Sequence, residues 1–391
     1  MTLLAETSGK NAIVVTASAD IDLAVKDLIH SAFSHAGQKC SAASLAIVDQ
    51  SIHDHPSFIR QLKDAASSLV VGPGTDFSTL VGPVIRKPEG ALSRVLTQLD
   101  DGESWLVEPE LIDPAGQLWR PGIKIGVKPG SWSHLNEWFG PVLAIMRAPD
   151  LSSAIEWQNS TPYGLTAGIH SLNEEECEEW LRSVEAGNLY INRAITGAVV
   201  QRQPFGGWKR SSVGPTSKAG GPHYIEQLRN WPLVLDAPAA QRSAQIWWER
   251  TGSKVTSTST LTVERNYLRY RKYSDPILVR VDASTSHAER LFISWLTREH
   301  GIKVVMSDNE SQSDFLDFAR NNSVAKVRWL SGEIAPTSAL IDLGISIDSR
   351  PLTQAGAVEM TRWLREQSIS ITHHRYGNVG GGPNPEVRPI F

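Results

Sequence analysis

Cysteine and long apolar segments are both scarce in this chain of 391 residues. It has only two cysteines, Cys40 and Cys177. Because nothing else suggests a disulfide-stapled secreted scaffold, both are expected to be reduced thiols. No apolar run approaches the roughly 18 residues of a membrane-spanning helix, and no basic segment followed by an apolar core opens the chain. These absences favour a cytoplasmic location.

An excess of charge of one sign is lacking too. The formal net charge is −4, and no basic patch or acidic tail stands out. Nucleic acid is therefore not an expected partner. A hydrophobic content of 41% and a charged content of 20% exclude the disordered and fibrous classes. The length is enough for two domains of about 100–200 residues each.

Short apolar strands alternate with amphipathic helices along the chain. A β-branched run predicts a strand over 11–15, and apolar residues at helical spacing predict a helix from Asp20 to Gly37. Further strands and helices alternate up to residue 192, and three more strands with two helices between them lie over 277–330. Between these parts lie a glycine-rich stretch over 203–222 and a Pro/Ala-rich boundary over 232–244. The pattern predicts an α/β fold with a largely parallel sheet.

Cys40 has the surroundings of a reactive thiol. It closely follows the glycine that ends the predicted helix, and Lys39 is its neighbour. Cations, backbone N–H dipoles and partial exposure favour the thiolate. On these grounds alone a buried structural cysteine remains an open alternative. Cys177 lies in an acidic stretch, 174–179, whose carboxylates raise the pKa of a thiol, so we expect it to be inert.

Three segments occur in the order and spacing of one family. They read A-E-T-S-G-K-N at 5–11, G-Q-K-C-S-A at 37–42 and E-W-F-G-P-V at 137–142. Together they resemble the glutamate, cysteine and E-x-F-G-P segments of the NAD(P)-dependent aldehyde dehydrogenase superfamily. The stretches 192–200, 203–207 and 218–222 are similar to those of L-glutamate γ-semialdehyde (1-pyrroline-5-carboxylate) dehydrogenases, in particular the dehydrogenase module of bifunctional proline utilization A. The resemblance covers residues 1 to about 235.

The resemblance implies a role for each of several side chains. Cys40 would attack the aldehyde carbon, with its own backbone N–H as one oxyanion donor. Glu6 would activate the water that hydrolyses the resulting thioester. Glu137 would bind the nicotinamide ribose hydroxyls of NAD, with Phe139 against the nicotinamide end. A flavin is expected only in a proline dehydrogenase domain outside this chain.

The implied substrate is L-glutamate γ-semialdehyde, an aldehyde with an α-amino acid head. Its carboxylate needs donors, which a nest of backbone N–H groups supplies. The expected substrate residues are Ser41, Ser211, Gly214, Ala219 and Gly220. A loop built for this head group rejects aldehydes that lack it. A flexible surface loop is the alternative explanation of the same glycine-rich stretch.

The resemblance also implies how the chain is organised. We expect a catalytic domain over 1–235, a linker or flap over 236–274, a Rossmann-like α/β domain over 275–367 and a tunnel-covering tail over 368–391. No metal site is expected, because His373 and His374 in the tail have no third ligand. With Met1 five residues before Glu6, we expect a C-terminal piece of a larger enzyme. Its partners are then the Rossmann and proline dehydrogenase regions, in cis or in trans, and alone it binds NAD weakly and turns over little.

Two other functions stay open at this point. One is a non-catalytic module for assembly or tunnel sealing, in which the active-site residues are idle. The other is a cysteine-dependent acyl transferase that needs no NAD. It is disfavoured because no histidine is placed as a base for Cys40.

Overall fold

The computed structural model describes residues 4–214, 217–229, 231, 236–259, 261 and 263–372. In this part of the chain the strands are β1 (Ala5–Glu6), β2 (Asn11–Val15), β3 (Ala43–Asp49), β4 (Ser104–Val107), β5 (Glu110–Leu111), β6 (Trp119–Arg120), β7 (Gly122–Ile125), β8 (Val142–Ala148), β9 (Tyr163–Gly164), β10 (Thr166–His170), β11 (Asn188–Ile191), β12 (Trp208–Lys209), β13 (Ser212–Val213), β14 (Thr256–Ser257), β15 (Glu264–Arg271), β16 (Ile277–Val281), β17 (Val304–Asp308), β18 (Lys326–Trp329), β19 (Ile347–Asp348) and β20 (Arg365–Thr372).

The α-helices of the same residues alternate with these strands. They are α1 (Ile21–Phe33), α2 (Gln50–His53), α3 (Pro56–Ser67), α4 (Gly90–Thr97), α5 (Trp132–Leu135), α6 (Leu151–Asn159), α7 (Glu174–Ser183), α8 (Ala237–Trp247), α9 (His287–His300), α10 (Gln312–Asn321), α11 (Thr337–Asp342) and α12 (Gly356–Thr361). None of the described helices has the length and apolar character needed to cross a membrane.

The chain divides into two compact units. Within the described residues, unit 1 holds 4–7, 200–258 and 267–368, and unit 2 holds 8–199, 259–266 and 369–372. The division differs from the predicted domains, because the first residues belong with the second half of the chain. Their strand β1 pairs antiparallel with β13. From residue 373 onward the predicted tunnel-covering tail, with His373 and His374, lies outside the described residues.

The main sheet of unit 2 is mostly parallel. Seven of its strands, all described and wholly inside the unit, run in the order β11–β10–β2–β3–β8–β7–β4. Every neighbouring pair is parallel except the antiparallel edge pair β4–β7. The central strand β2 is buried at all five residues, as expected of a parallel strand covered on both faces. This confirms the predicted α/β fold.

Helix α1 shows how the sequence positions an element of this unit. The Asp20 side chain accepts a hydrogen bond from the N–H of Leu23 and caps the helix. Leu28 and Phe33 on its apolar face belong to the same core cluster as Phe58 of α3. The helix starts where the sequence predicts it but ends at Phe33, four residues early.

Unit 1 contains the second parallel sheet, in the order β17–β16–β18–β19. Helix α9 follows β16 and begins with a capping box formed by Ser286 and Glu289. Within this unit Arg328 is fully buried and bonds Asp348 at 2.9 Å and Glu359 at 3.1 Å. A buried ion is tolerated only when it is paired, so these two carboxylates allow an arginine inside the sheet.

The range 236–274, predicted as a linker or flap, contains helix α8 and strand β15 as well as β14. Pro238 lies in the first turn of α8, where its missing N–H costs no helical hydrogen bond. Ala240 and Ala244 pack into a core cluster with Phe292. The proline that suggested a boundary lies at the start of helix α8, and the alanines form a closely packed face of that helix.

Replacement of Leu28 by alanine should destabilise the chain by about 2–5 kcal/mol, because it leaves a cavity in the core of unit 2. Leu28 is fully buried, whereas Lys26 on the opposite face of α1 is exposed. The matched change Lys26→Ala should cost no more than about 0.5 kcal/mol. Urea unfolding measures both, and equal losses for the two variants would contradict the packing of this helix.

Candidate active site

The residues that the sequence predicts for the site are divided between the two units. Unit 2 holds Cys40, Ser41, Glu137 and Phe139. Unit 1 holds Glu6 and the predicted substrate residues of the glycine-rich stretch, which are Ser211, Gly214, Ala219 and Gly220.

The chain before Cys40 makes an uncommon turn. His35, Ala36 and Gly37 have φ values of 55°, 54° and 67°, in the left-handed region that breaks an α-helix. This is why α1 ends at Phe33. A Cβ on Gly37 would lie 2.3 Å from the carbonyl oxygen of Gly140, so only glycine fits there. The strain of such residues, of order 1–3 kcal/mol each, is typical of functional loops.

The side chain of Asn11 fixes the main chain on both sides of Cys40. Its Nδ2 donates to the carbonyl oxygens of Cys40 at 2.8 Å and Ala42 at 2.9 Å. Its Oδ1 accepts from the N–H of Thr166 at 3.1 Å. The N–H of Ala42 donates to the carbonyl of Lys39, which closes a turn around the cysteine. Cys40 itself is exposed, so an accessible thiol is carried on an immobilised backbone.

The predicted cofactor residues are tied to the same structure. The N–H of Gly9 donates to Oε1 of Glu137 at 2.9 Å, and a Cβ on Gly9 would lie 2.7 Å from the carbonyl oxygen of Cys40. Gln38 donates through Nε2 to the carbonyl of Phe139 at 3.0 Å. Within unit 2, Gly9 therefore bonds Glu137 and lies close to the backbone of Cys40, and Gln38 bonds the backbone of Phe139.

Phe139 combines an uncommon backbone conformation with a partly exposed side chain. Its φ is 52°, which is uncommon for a bulky side chain, and 42% of its surface is exposed. Trp138 precedes Phe139 in the chain, and the centre of its ring lies 3.1 Å from Lys10 Nζ. Burial holds the pKa of Lys10 well below its usual range. The contact of the buried Lys10 amine with the Trp138 ring helps to hold the segment Glu137–Phe139 in place.

Glu6 is held within unit 1. Strand β1 pairs Glu6 with Ser212 of β13, and the N–H of Gly207 donates to Glu6 Oε2 at 2.7 Å. Glu6 is exposed as a residue, but its carboxyl group is turned against the glycine segment. Burial of that group raises its pKa to about 7, outweighing the hydrogen bond from Gly207 and the charge of Lys218, which both lower it. A carboxyl group of this pKa suits a general base near neutral pH.

Two further residues, Lys218 close to Glu6 and Glu366 bonded to Lys218, are not predicted from the sequence as site residues. Lys218 donates from Nζ to the carbonyl of Gly206 at 2.7 Å, and its backbone N–H donates to Glu366 Oε2 at 2.8 Å. Burial lowers the pKa of Lys218 to about 7, and burial raises the pKa of Glu366. A lysine inside a glycine-rich stretch is a signal that the sequence offers for Lys218. Glu366, 148 residues further on, offers none.

One predicted substrate contact is wrong. The N–H of Ala219 donates to the carbonyl of Phe205 at 2.8 Å in an antiparallel bridge, so it is not available to a substrate carboxylate. Gly214 and Gly220 have φ values of 90° and 72°, which glycine alone adopts readily. Ser211 is fully buried. Ser41, Ser211, Gly214 and Gly220 stay predictions as substrate contacts.

Cys177 has the properties of an inert thiol. It is buried, and its pKa is raised to about 11. The direction agrees with the prediction, but the main cause is burial, and the acidic neighbours of helix α7 add less. Among the residues that the structure describes, no group of three His, Cys, Asp or Glu side chains is arranged to hold a metal ion.

Comparison with known proteins places this geometry in a family. Residues 1–233 match the model of the aldehyde dehydrogenase family. The chain belongs to the aldehyde dehydrogenase family. The prediction from the glutamate, cysteine and E-x-F-G-P segments is confirmed.

Several members of the family are similar to this chain. The 1-pyrroline-5-carboxylate dehydrogenases of Geobacillus thermodenitrificans and Bacillus subtilis are each 38% identical over 226 residues, which is 57% of this chain and 43% of theirs. The structure of proline utilization A (PutA) from Corynebacterium freiburgense has a TM-score of 0.84 and 42% identity, covering 96% of this chain and 40% of that one. The 1-pyrroline-5-carboxylate dehydrogenase from Thermus with bound NAD has a TM-score of 0.52 and 36% identity, over 57% of this chain and 42% of that one. The chain spans less than half the length of each.

Iodoacetamide should alkylate Cys40 and leave Cys177 intact at neutral pH, because one thiol is exposed and the other is buried with a raised pKa. Peptide mass spectrometry at successive times measures the two rates. Cys40→Ser should remove the fast reaction, and Cys177→Ser should not change it. Equal rates at the two cysteines in the folded chain would contradict the described environments.

Proposed function

We propose that this chain carries the nucleophile and the deacylation base of an NAD-dependent L-glutamate γ-semialdehyde dehydrogenase, acting within a larger enzyme of the proline utilization A type in proline catabolism. The observation that supports it most is the placing of Cys40. An exposed thiol sits on a turn fixed by Asn11, and Gly9, which bonds Glu137, lies close to the backbone of that turn. The names of the similar proteins supply the substrate and the pathway.

The proposed chemistry begins at Cys40. Its sulfur forms a bond to the aldehyde carbon and gives a thiohemiacetal. Acceptance of the hydride from that carbon is the chemistry that bound NAD would supply, and it would leave a thioester on Cys40. Glu6 then removes a proton from water, the water oxygen bonds to the acyl carbon, and the carbon–sulfur bond breaks. L-Glutamate leaves, and Cys40 returns as a thiolate.

The residues of unit 2 fit the nicotinamide end of a dinucleotide. A carboxylate is a pure acceptor, as ribose hydroxyls require, and Gly9 fixes one oxygen of Glu137 in place. The partly exposed ring of Phe139 offers an apolar face to a planar group. These two side chains therefore orient the cofactor in the proposal.

The substrate proposal rests on the glycine-rich stretch of unit 1. Gly214 and Gly220 adopt left-handed conformations, and runs of main chain that contain such residues turn N–H groups toward anions. Ser211 and Ser41 add hydroxyl donors. The Rossmann-like part over 275–367 and the tail beyond it have no catalytic role in this proposal.

An activated ester such as p-nitrophenyl acetate tests the two catalytic roles without cofactor. Wild-type chain should release a burst of p-nitrophenol as Cys40 is acylated, followed by slower turnover that rises with pH through about 7, since the Glu6 carboxylate is the base. Glu6→Gln should keep the burst and slow turnover by about 10²-fold or more. Cys40→Ser should lose the burst.

The burst of p-nitrophenol also distinguishes the proposed enzyme from a module with idle active-site residues. Its absence from folded wild-type chain would favour the idle, tunnel-sealing module. A burst whose later turnover is equally fast in Glu6→Gln would leave Cys40 as nucleophile and remove Glu6 as base. Cys177→Ser is the matched control and should behave like the wild type.

L-Glutamate, the proposed product, should protect Cys40 from iodoacetamide, because its head group binds the proposed substrate residues. Butyrate has the same acid end without the α-amino acid head and should protect far less. Ser211→Ala should weaken the protection by glutamate by about 10-fold, as expected of one lost hydrogen bond to a charged group. Equal protection by glutamate and butyrate would contradict the proposed substrate class.

A further inference from the structure

One peptide unit in unit 1 stands between two ionisable side chains. The carbonyl oxygen of the Gly206–Gly207 peptide accepts from Lys218 Nζ at 2.7 Å. The N–H of the same peptide donates to Glu6 Oε2, also at 2.7 Å. Both bonds are short for N–H···O hydrogen bonds, as expected when one partner is charged.

We propose that Lys218 is a positioning residue that holds and polarises the Glu6 carboxyl group through the Gly206–Gly207 peptide. The proposal deepens the function above, since it rests on Glu6 as the deacylation base. An ammonium on the carbonyl side draws electrons along the amide and makes the opposite N–H a stronger donor. Such cooperative strengthening is about 10–30% per bond in condensed phase.

The absence of a side chain at Gly206 makes this arrangement possible. A Cβ there would lie 3.2 Å from Glu6 Oε1 and 3.3 Å from both Cα and Cγ of Lys218. These contacts are tighter than most side chains show, so a larger residue would require the carboxyl group or the lysine to shift by a few tenths of an ångström. Glycine lets the two side chains approach the same peptide from its two ends.

Lys218 is itself held in place. Its main chain donates to Glu366 Oε2 at 2.8 Å, and the lysine is buried. Its charged neighbours are Glu366 and Glu6, which both favour the ammonium form. Around Glu366 in turn lie Lys218, His223 and Glu226. The charge of Lys218 acts on Glu6 and favours its carboxylate form.

NMR of the full chain tests the proposal without any turnover. Selective ¹³C labelling of glutamate, with Glu6→Gln for assignment, gives the titration of the Glu6 carboxyl group. In Lys218→Met the Glu6 pKa should rise by about 1 or more, because a nearby cation is lost. The amide proton of Gly207 should move upfield, because its N–H is no longer polarised. Lys218→Arg keeps the cation and should restore both signals in part.

Two further variants complete the design. Lys254→Met makes the same change at an exposed lysine of unit 1 and should alter neither signal. If Lys218→Met does not fold, the reciprocal measurement decides, because coupling between two sites is mutual. In Glu6→Gln the pKa of the Lys218 amine, read from its ¹³Cε resonance, should fall.

An unchanged Glu6 titration and an unchanged Gly207 amide in folded Lys218→Met would overturn the proposal, as would a Lys218 pKa that does not fall in Glu6→Gln. Failure of the proposed function looks different. In that case Glu6→Gln would leave ester turnover intact, while Lys218 would still shift the Glu6 titration.

Discussion

The amide side chain of Asn11 is the interaction on which the proposed nucleophile depends. It is almost fully buried and joins the start of β2 to the carbonyls of Cys40 and Ala42 and to the N–H of Thr166. A buried carbonyl without its donor costs about 1–3 kcal/mol, so the turn and the strand stabilise each other. The strand is the rigid part, since it lies at the centre of a parallel sheet. The sheet therefore fixes the position of the Cys40 thiol, and the loop leaves that thiol exposed.

In unit 1 the position of Glu6 is likewise set by backbone interactions, which are strand pairing and a hydrogen bond from one main-chain N–H. The short pairing of β1 with β13 fixes the backbone of Glu6, and Gly207 fixes its carboxyl group. The environment then sets its chemistry, because burial of the carboxyl raises its pKa. In both units ordinary secondary structure provides the position, and glycine allows the close approach.

Local patterns were sufficient to predict much of the fold and the family. The apolar run of β2 and the Asp20 cap of α1 both act within a few positions of sequence. The early end of α1 was not predictable, because the left-handed turn at His35 and Ala36 is a backbone conformation that these residue types do not specify. Ala219 was misassigned because its N–H partner, Phe205, comes from a bridge that residue types do not specify. Glu366 was not predicted as a site residue for the same reason, since its contact with Lys218 joins distant parts of the chain.

The Gly206–Gly207 peptide has a chemical consequence beyond holding Glu6. Burial lowers the pKa of Lys218 and so makes its amine easier to deprotonate than that of an exposed lysine, and neutral amines condense with aldehydes to give imines. Lys218 is almost fully buried, and its Nζ is bonded to a peptide carbonyl. The peptide passes on the influence of the positive charge while the amine itself stays covered. In the proposed dehydrogenase, Lys218 can thus act on the base without serving as a second nucleophile.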